Sequence, residues 1–139
     1  MNISKTCKLT MALAGAVAGT TPLTTAVINM EGFEGVAFFG TIATKDPTNY
    51  VKLQQGKLAN MGDAADLEGT KLATTVDANS FLTDLYKPKE QYVQLIITRT
   101  VSTAVGDIYA LQYSAKKMPV AHPATIEAET HISPEEGTA

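Results

Sequence analysis

Three runs in close succession decide the fold class: Phe81-Leu-Thr-Asp-Leu-Tyr86, Tyr92-Val-Gln-Leu-Ile-Ile-Thr-Arg-Thr100 and Asp107-Ile-Tyr-Ala-Leu-Gln-Tyr113. All three are rich in β-branched and aromatic residues, which fit a pleated, half-buried surface better than a helix. Turn chemistry closes the first two, Lys87-Pro88-Lys89-Glu90 after one and residues 102–106 after the other. Side chains alternate across a strand, so Val93, Leu95 and Ile97 belong to one face of the middle run. Gln94, Thr98 and Thr100 belong to the other.

The same pattern extends upstream. Residues 23–30 read as a strand with Val27 inward and Thr24 outward. Glu31-Gly-Phe-Glu-Gly35 reads as a turn, and residues 36–43 as a strand with Val36, Phe38 and Ile42 on one face and Phe39 on the other. Residues 45–49 form a loop, 50–54 a short strand and 60–66 a longer polar connection. The threonines of residues 67–76 favour another strand, turned at Asp77-Ala-Asn79. A loop over 116–123 leads to a last strand at 124–132. No helical period of any length interrupts this series. About eight short strands at roughly ten-residue spacing predict an all-β, single-domain antiparallel β-sandwich, a jelly roll, over residues 23–132, with a polar tail at 133–139.

The first 22 residues are harder to place. Lys5 and Lys8 before an apolar stretch, with Ala16-Val17-Ala18 behind it, imitate a secretory leader. Thr10, Gly15 and Gly19 dilute that stretch, and it is too short to span a bilayer, which takes about 20 residues. The segment is therefore expected to be retained as a first strand at 6–13 and a flexible Gly-Ala-Thr arm ending at Pro22. The arm has little to bury, so it is expected to reach a neighbouring molecule.

Composition narrows the function classes. A chain of 139 residues can bury roughly 70% of the surface it exposes when extended, enough for a core without metals or disulfides. The formal charge is −3, Arg99 is the single arginine, and no basic cluster exceeds Lys116-Lys117, so no stripe for nucleic-acid phosphates is available. The lone Cys7 cannot form an intramolecular disulfide and reads as a small buried side chain.

Chemistry-bearing residues are sparse. His122 and His131 flank Glu127 and Glu129, which are metal-ligand types. On a strand, however, Glu127, Glu129 and His131 would share one solvated face, so no metal is expected there. Asp63, Asp66 and Glu68 lack the alternating spacing and central glycine of a calcium loop. No nucleophile elbow or phosphate loop is present, and no cofactor or catalytic residue is expected. Asn2-Ile3-Ser4 matches a glycosylation acceptor in form alone. Tyr109 and Tyr113 share a strand face with Leu111 and could stack a sugar, but aromatic residues at period two are more often core or interface. The short strand Tyr50-Val-Lys-Leu53 reads as an unpaired edge guarded by Lys52 alone. Tyr109, Tyr113 and Lys52 are accordingly the interface candidates.

Three segments carry a resemblance: Val27-Ile-Asn-Met-Glu-Gly-Phe-Glu-Gly-Val-Ala-Phe-Phe-Gly-Thr-Ile42, the run from Tyr92 through Thr98 and Gly106 to Tyr113, and Ala128-Glu-Thr-His-Ile-Ser-Pro-Glu-Glu-Gly-Thr-Ala139. Together they resemble the small capsid cement (decoration) proteins of tailed bacteriophages, from about Val27 to the C-terminus. The resemblance implies a non-enzymatic virion protein on the outer capsid surface. It would bind the major capsid protein and itself, a symmetric homodimer being favoured over a trimer, with no nucleic-acid or membrane partner. The N-terminal arm departs most from that family. A tail-tube or head–tail connector subunit and a secreted carbohydrate-binding sandwich are the alternatives.

Overall fold

The computed structural model describes residues 2–74, 78–133 and 135–138. The turn expected at Asp77 and the end of the strand expected over 67–76 lie partly outside these residues, as do Met1, Pro134 and Ala139 of the two terminal segments. Among the described residues the regular structure is β, apart from one helical turn, α1 (Ile3–Thr6). The strands are β1 (Lys8–Leu13), β2 (Ala16–Gly19), β3 (Leu23–Thr24), β4 (Ile28–Asn29), β5 (Gly35–Thr41), β6 (Asn49–Gly56), β7 (Ala65–Asp66), β8 (Leu72–Ala73), β9 (Ser80–Tyr86), β10 (Tyr92–Arg99), β11 (Thr103–Val105) and β12 (Ile108–Tyr113).

Two antiparallel sheets face each other. One runs β1-β12-β5-β9; the other runs β3-β10-β6-β7, with β4 also on β10 and β8 also on β6. Taking β3/β4 and β7/β8 as two interrupted strands, the pairs nest about the middle of the chain. β1 pairs with β12, β3/β4 with β10, β5 with β9 and β6 with β7/β8. The all-β sandwich expected from alternation is what the chain forms.

The core follows the period-two reading. Val93, Leu95 and Ile97 of β10 and Val51 and Leu53 of β6 are buried against Val36 and Phe38 of β5 and Ile108 and Ala110 of β12. Phe39 lies on the outer face, as its position in the alternation requires.

The edges depart from the sequence reading, and hydroxyl groups explain two of the departures. In the segment 23–30, Thr25 N–H donates to Leu95 O at 3.0 Å, but Leu95 N–H is met by the Thr25 hydroxyl at 3.0 Å rather than by a carbonyl. A side chain in place of a ladder partner interrupts the strand and shifts its alternation. Ile28 therefore turns inward, and Val27, expected inward, is exposed. Thr24 is exposed as expected. The second case is the segment 67–76, where the Thr70 hydroxyl accepts Leu53 N–H at 3.1 Å and separates β7 from β8. Thr70 interrupts a strand rather than extending one.

Three further expectations are corrected. The strand expected at 124–132 is absent: that segment is irregular and packs along α1, with Ser4 and Thr130 joined through their hydroxyls. His122 holds it in place, its Nδ1 accepting Leu9 N–H at 3.2 Å and its Nε2–H donating to Ser4 O at 2.8 Å. The arm over 14–22 is not free, because Ala16–Gly19 pairs with β11 of the same chain. Finally, the strand around Tyr50 to Leu53 is no edge. It belongs to β6, with β10 on one side and β7 and β8 on the other.

Arg99 fastens the arm. Buried at 6% exposure, it donates from Nε to Thr21 O at 2.7 Å and from one terminal nitrogen to Val17 O and Thr103 O, each at 3.0 Å. A planar guanidinium presents donors in fixed directions, so one side chain can gather carbonyls from three backbone segments.

Candidate functional site

The two outer faces of the sandwich differ in chemistry. On the β3-β10-β6-β7 sheet most outward residues are polar and several satisfy one another, with Ile96 of β10 among them. Gln94 Nε2 donates to Gln54 Oε1 at 2.8 Å, Gln54 Nε2 donates to Asp66 Oδ1 at 2.7 Å, and Lys52 Nζ reaches Asp66 Oδ2 at 2.7 Å. Lys71 Nζ lies 4.3 Å from the centre of the Tyr50 ring. Such a face is at ease in water. Lys52 belongs to it, on a strand inside the sheet and not at the edge expected of it.

The outer face of the β1-β12-β5-β9 sheet carries an apolar row across all four strands. Register places Met11 opposite Tyr109, Tyr109 opposite Phe39, and Phe39 opposite Leu82. The Phe39 and Tyr109 rings stack with centroids 6.0 Å apart, while Leu82 is 65% exposed and Met11 37%. Beside this row lies a second aromatic pair, Tyr86 and Tyr113, at 6.5 Å and nearly parallel. Gly35 lies between their strands, and a Cβ there would overlap the Tyr113 ring, so the missing side chain lets Tyr113 reach across β5.

The Tyr113 hydroxyl donates to Asp84 Oδ1 at 2.7 Å. Partial burial, and then the Asp84 carboxylate, keep that phenol protonated far above the usual range. The one acid in the rows formed by β12, β5 and β9 is thereby engaged by a neighbour. Tyr109 and Tyr113, the interface candidates read from the sequence, are both on this face. Phe39, Leu82 and Met11 complete it. They were missed because partners in a cross-strand row lie far apart in sequence.

The other candidates are placed as follows. His122, His131, Glu127, Glu129 and the buried Cys7 line a cleft of about 500 Å³ beside α1. His122 is committed to the backbone bonds above, and His131 and Glu129 approach only each other, at 3.7 Å on the surface. Among the described residues no group of three or more His, Cys, Asp or Glu is arranged to hold a metal. Asp63 and Asp66 serve separate ends: Asp63 accepts the N–H groups of Lys57 and Leu58 at 2.7 and 3.1 Å, and Asp66 joins the ladder of the polar face.

These bonds have a consequence for pH. Main-chain N–H donors hold the Asp63 carboxyl below its ordinary value of 3.8, and Lys52 followed by Gln54 does the same for Asp66. A lowered folded-state value stabilises the ionised form, so the contribution is complete above the ordinary value and is lost as pH falls through the lowered ones. The urea midpoint is expected to fall as pH drops below about 4. Asp63→Asn should make that decline shallower, which urea titrations across the acid range will measure.

Compared with protein-family models and with curated proteins, the chain matches none.

Proposed function

We propose that this protein is a non-enzymatic virion protein that binds the outside of an assembled tailed-phage capsid and clamps neighbouring major capsid subunits. The observation that carries this reading is the contrast between the two outer faces, one crossed by a hydrogen-bonded polar ladder, the other by an apolar row whose neighbouring acid is engaged by Tyr113. Contiguous apolar patches of a few hundred Å² are often functional. The sequence resemblance supplies the partner. The nested pairing of β1 with β12, β3/β4 with β10, β5 with β9 and β6 with β7/β8 supports the jelly-roll form of the sandwich, a long antiparallel hairpin rolled into two sheets.

The size of the face fits a lattice better than a solitary partner. Four strands about 4.8 Å apart and six residues rising about 3.4 Å each cover roughly 400 Å² in plan. A stable one-to-one interface takes about 800 Å² per partner. A face half that size binds weakly alone, and repetition over a symmetric shell turns weak contacts into avid binding. Binding only the assembled state stabilises that state by mass action.

The test compares particles with and without the protein under heating and osmotic shock. Shells lacking it should assemble yet rupture earlier once filled with DNA. Re-addition should restore the threshold with little dependence on salt, since the face is apolar. Met11→Asp is expected to weaken shell binding by about tenfold, because it places a charge on the apolar row. Equal rupture thresholds would sink the proposal and favour a connector role.

A further inference from the structure

A sandwich has four sheet edges, and this one treats them unequally. The edge formed by β3 and β4 is broken at Thr25, and the edge formed by β7 and β8 at Thr70. The edge of β1 is engaged at Leu9, whose N–H the His122 ring accepts, and at Ala12, whose carbonyl accepts Ala26 N–H, and its register shifts between Met11 and Leu13. Interrupted and covered edges resist pairing with other chains. The remaining edge is β9. It is seven residues long, contains no proline, lysine or bulge, and pairs only with β5 among the described residues.

Its free groups can be identified. Ile42 N–H donates to Asn79 O and Lys87 N–H to Glu34 O, each at 2.7 Å, flanking the β5–β9 ladder at both ends. Hydrogen-bonded pairs alternate along an antiparallel ladder, so Phe81, Thr83 and Leu85 direct their backbone groups toward β5. Ser80, Leu82, Asp84 and Tyr86 direct theirs outward. Among the described residues, none of these four backbones bonds to anything beyond β5.

We infer that β9 pairs antiparallel with β9 of a second copy about a two-fold axis at Thr83, joining two four-stranded sheets into one of eight strands. The sequence selects this register. Centred on Thr83, Ser80 faces Tyr86 of the second copy, Leu82 faces Asp84, and the outward groups of all four residues are paired. Centring on Asp84 would set two carboxylates opposite each other, which is destabilising. Centring on Leu82 would leave Tyr86 without a partner inside the strand. A two-fold axis makes the contact self-complementary and closes the assembly at two copies. The inference is independent of any capsid, because it concerns the purified chain alone. If the capsid reading also holds, the dimer doubles the apolar face presented to the shell.

The test is light scattering on the full chain at concentrations up to about 100 μM, a range that detects even weak dimers. Two substitutions at one exposed position discriminate. Leu82→Asp sets a carboxylate against Asp84 of the second copy, twice per dimer, and should weaken association by at least about tenfold. Leu82→Lys sets a cation there and should keep the dimer. Thr83→Cys should form an inter-chain disulfide on oxidation, because non-hydrogen-bonded partners lie about 4.5 Å apart at Cα, within disulfide reach. Circular dichroism checks that each variant is folded. A wild-type chain that stays monomeric overturns the inference. So does a dimer that Leu82→Asp and Leu82→Lys affect equally.

Discussion

Phe38→Ala is expected to destabilise the protein by about 4 kcal/mol, the largest effect of any single substitution considered. Phe38 is fully buried on the inner face of β5, between Ala110 of β12 and Thr83 of β9, and projects toward the β10 and β6 side chains. Truncation removes the ring and leaves a cavity that two hydrogen-bonded sheets cannot close without moving apart. Close-packed interiors relax only in part, so the lost dispersion contacts are not recovered. A domain of this size has a total stability of about 5–15 kcal/mol, so the variant should lose roughly 10–20 °C in Tm. Thermal and urea unfolding followed by circular dichroism measure this. A change below about 1 kcal/mol would mean that the two sheets do not close on Phe38.

Arg99→Met is expected to cost about 3 kcal/mol by a different route. Methionine keeps much of the apolar stem but removes the donors that hold Thr21 O, Val17 O and Thr103 O. Those carbonyls then need water, which the arm can reach only by lifting away from the sandwich. Amide exchange at residues 16–19 should accelerate by on the order of 100-fold, while the central β6–β10 ladder stays protected. Arg99→Lys should fall between the two, because an ammonium offers no planar fork to span three backbone segments. Unchanged exchange in the arm would show that the β2–β11 pairing holds it without help.

The central strands could be read in one dimension because their information is local. Val36 and Phe38, and likewise Val93, Leu95 and Ile97, repeat at the period of a strand buried on one face. That period survives whatever the strand packs against. Tyr109 and Tyr113 were legible as a shared face for the same reason. Alternation cannot tell an inner strand from an edge, nor show where a backbone group finds its partner. Thr25 takes Leu95 N–H across 70 residues, Arg99 takes Val17 O across 82, and His122 takes Leu9 N–H across 113. Val27 was assigned to the wrong side because a hydroxyl 70 residues from its partner resets the alternation. The segment 124–132 has strand-like alternation, yet it lies as a coil over a strand whose outward amide a histidine ring accepts. Lys52 looks like an edge guard until β7 and β8 are seen beside it. Each of these outcomes depends on hydrogen-bond donors and acceptors meeting across the closed sandwich, and those pairs exist only once the two sheets have come together.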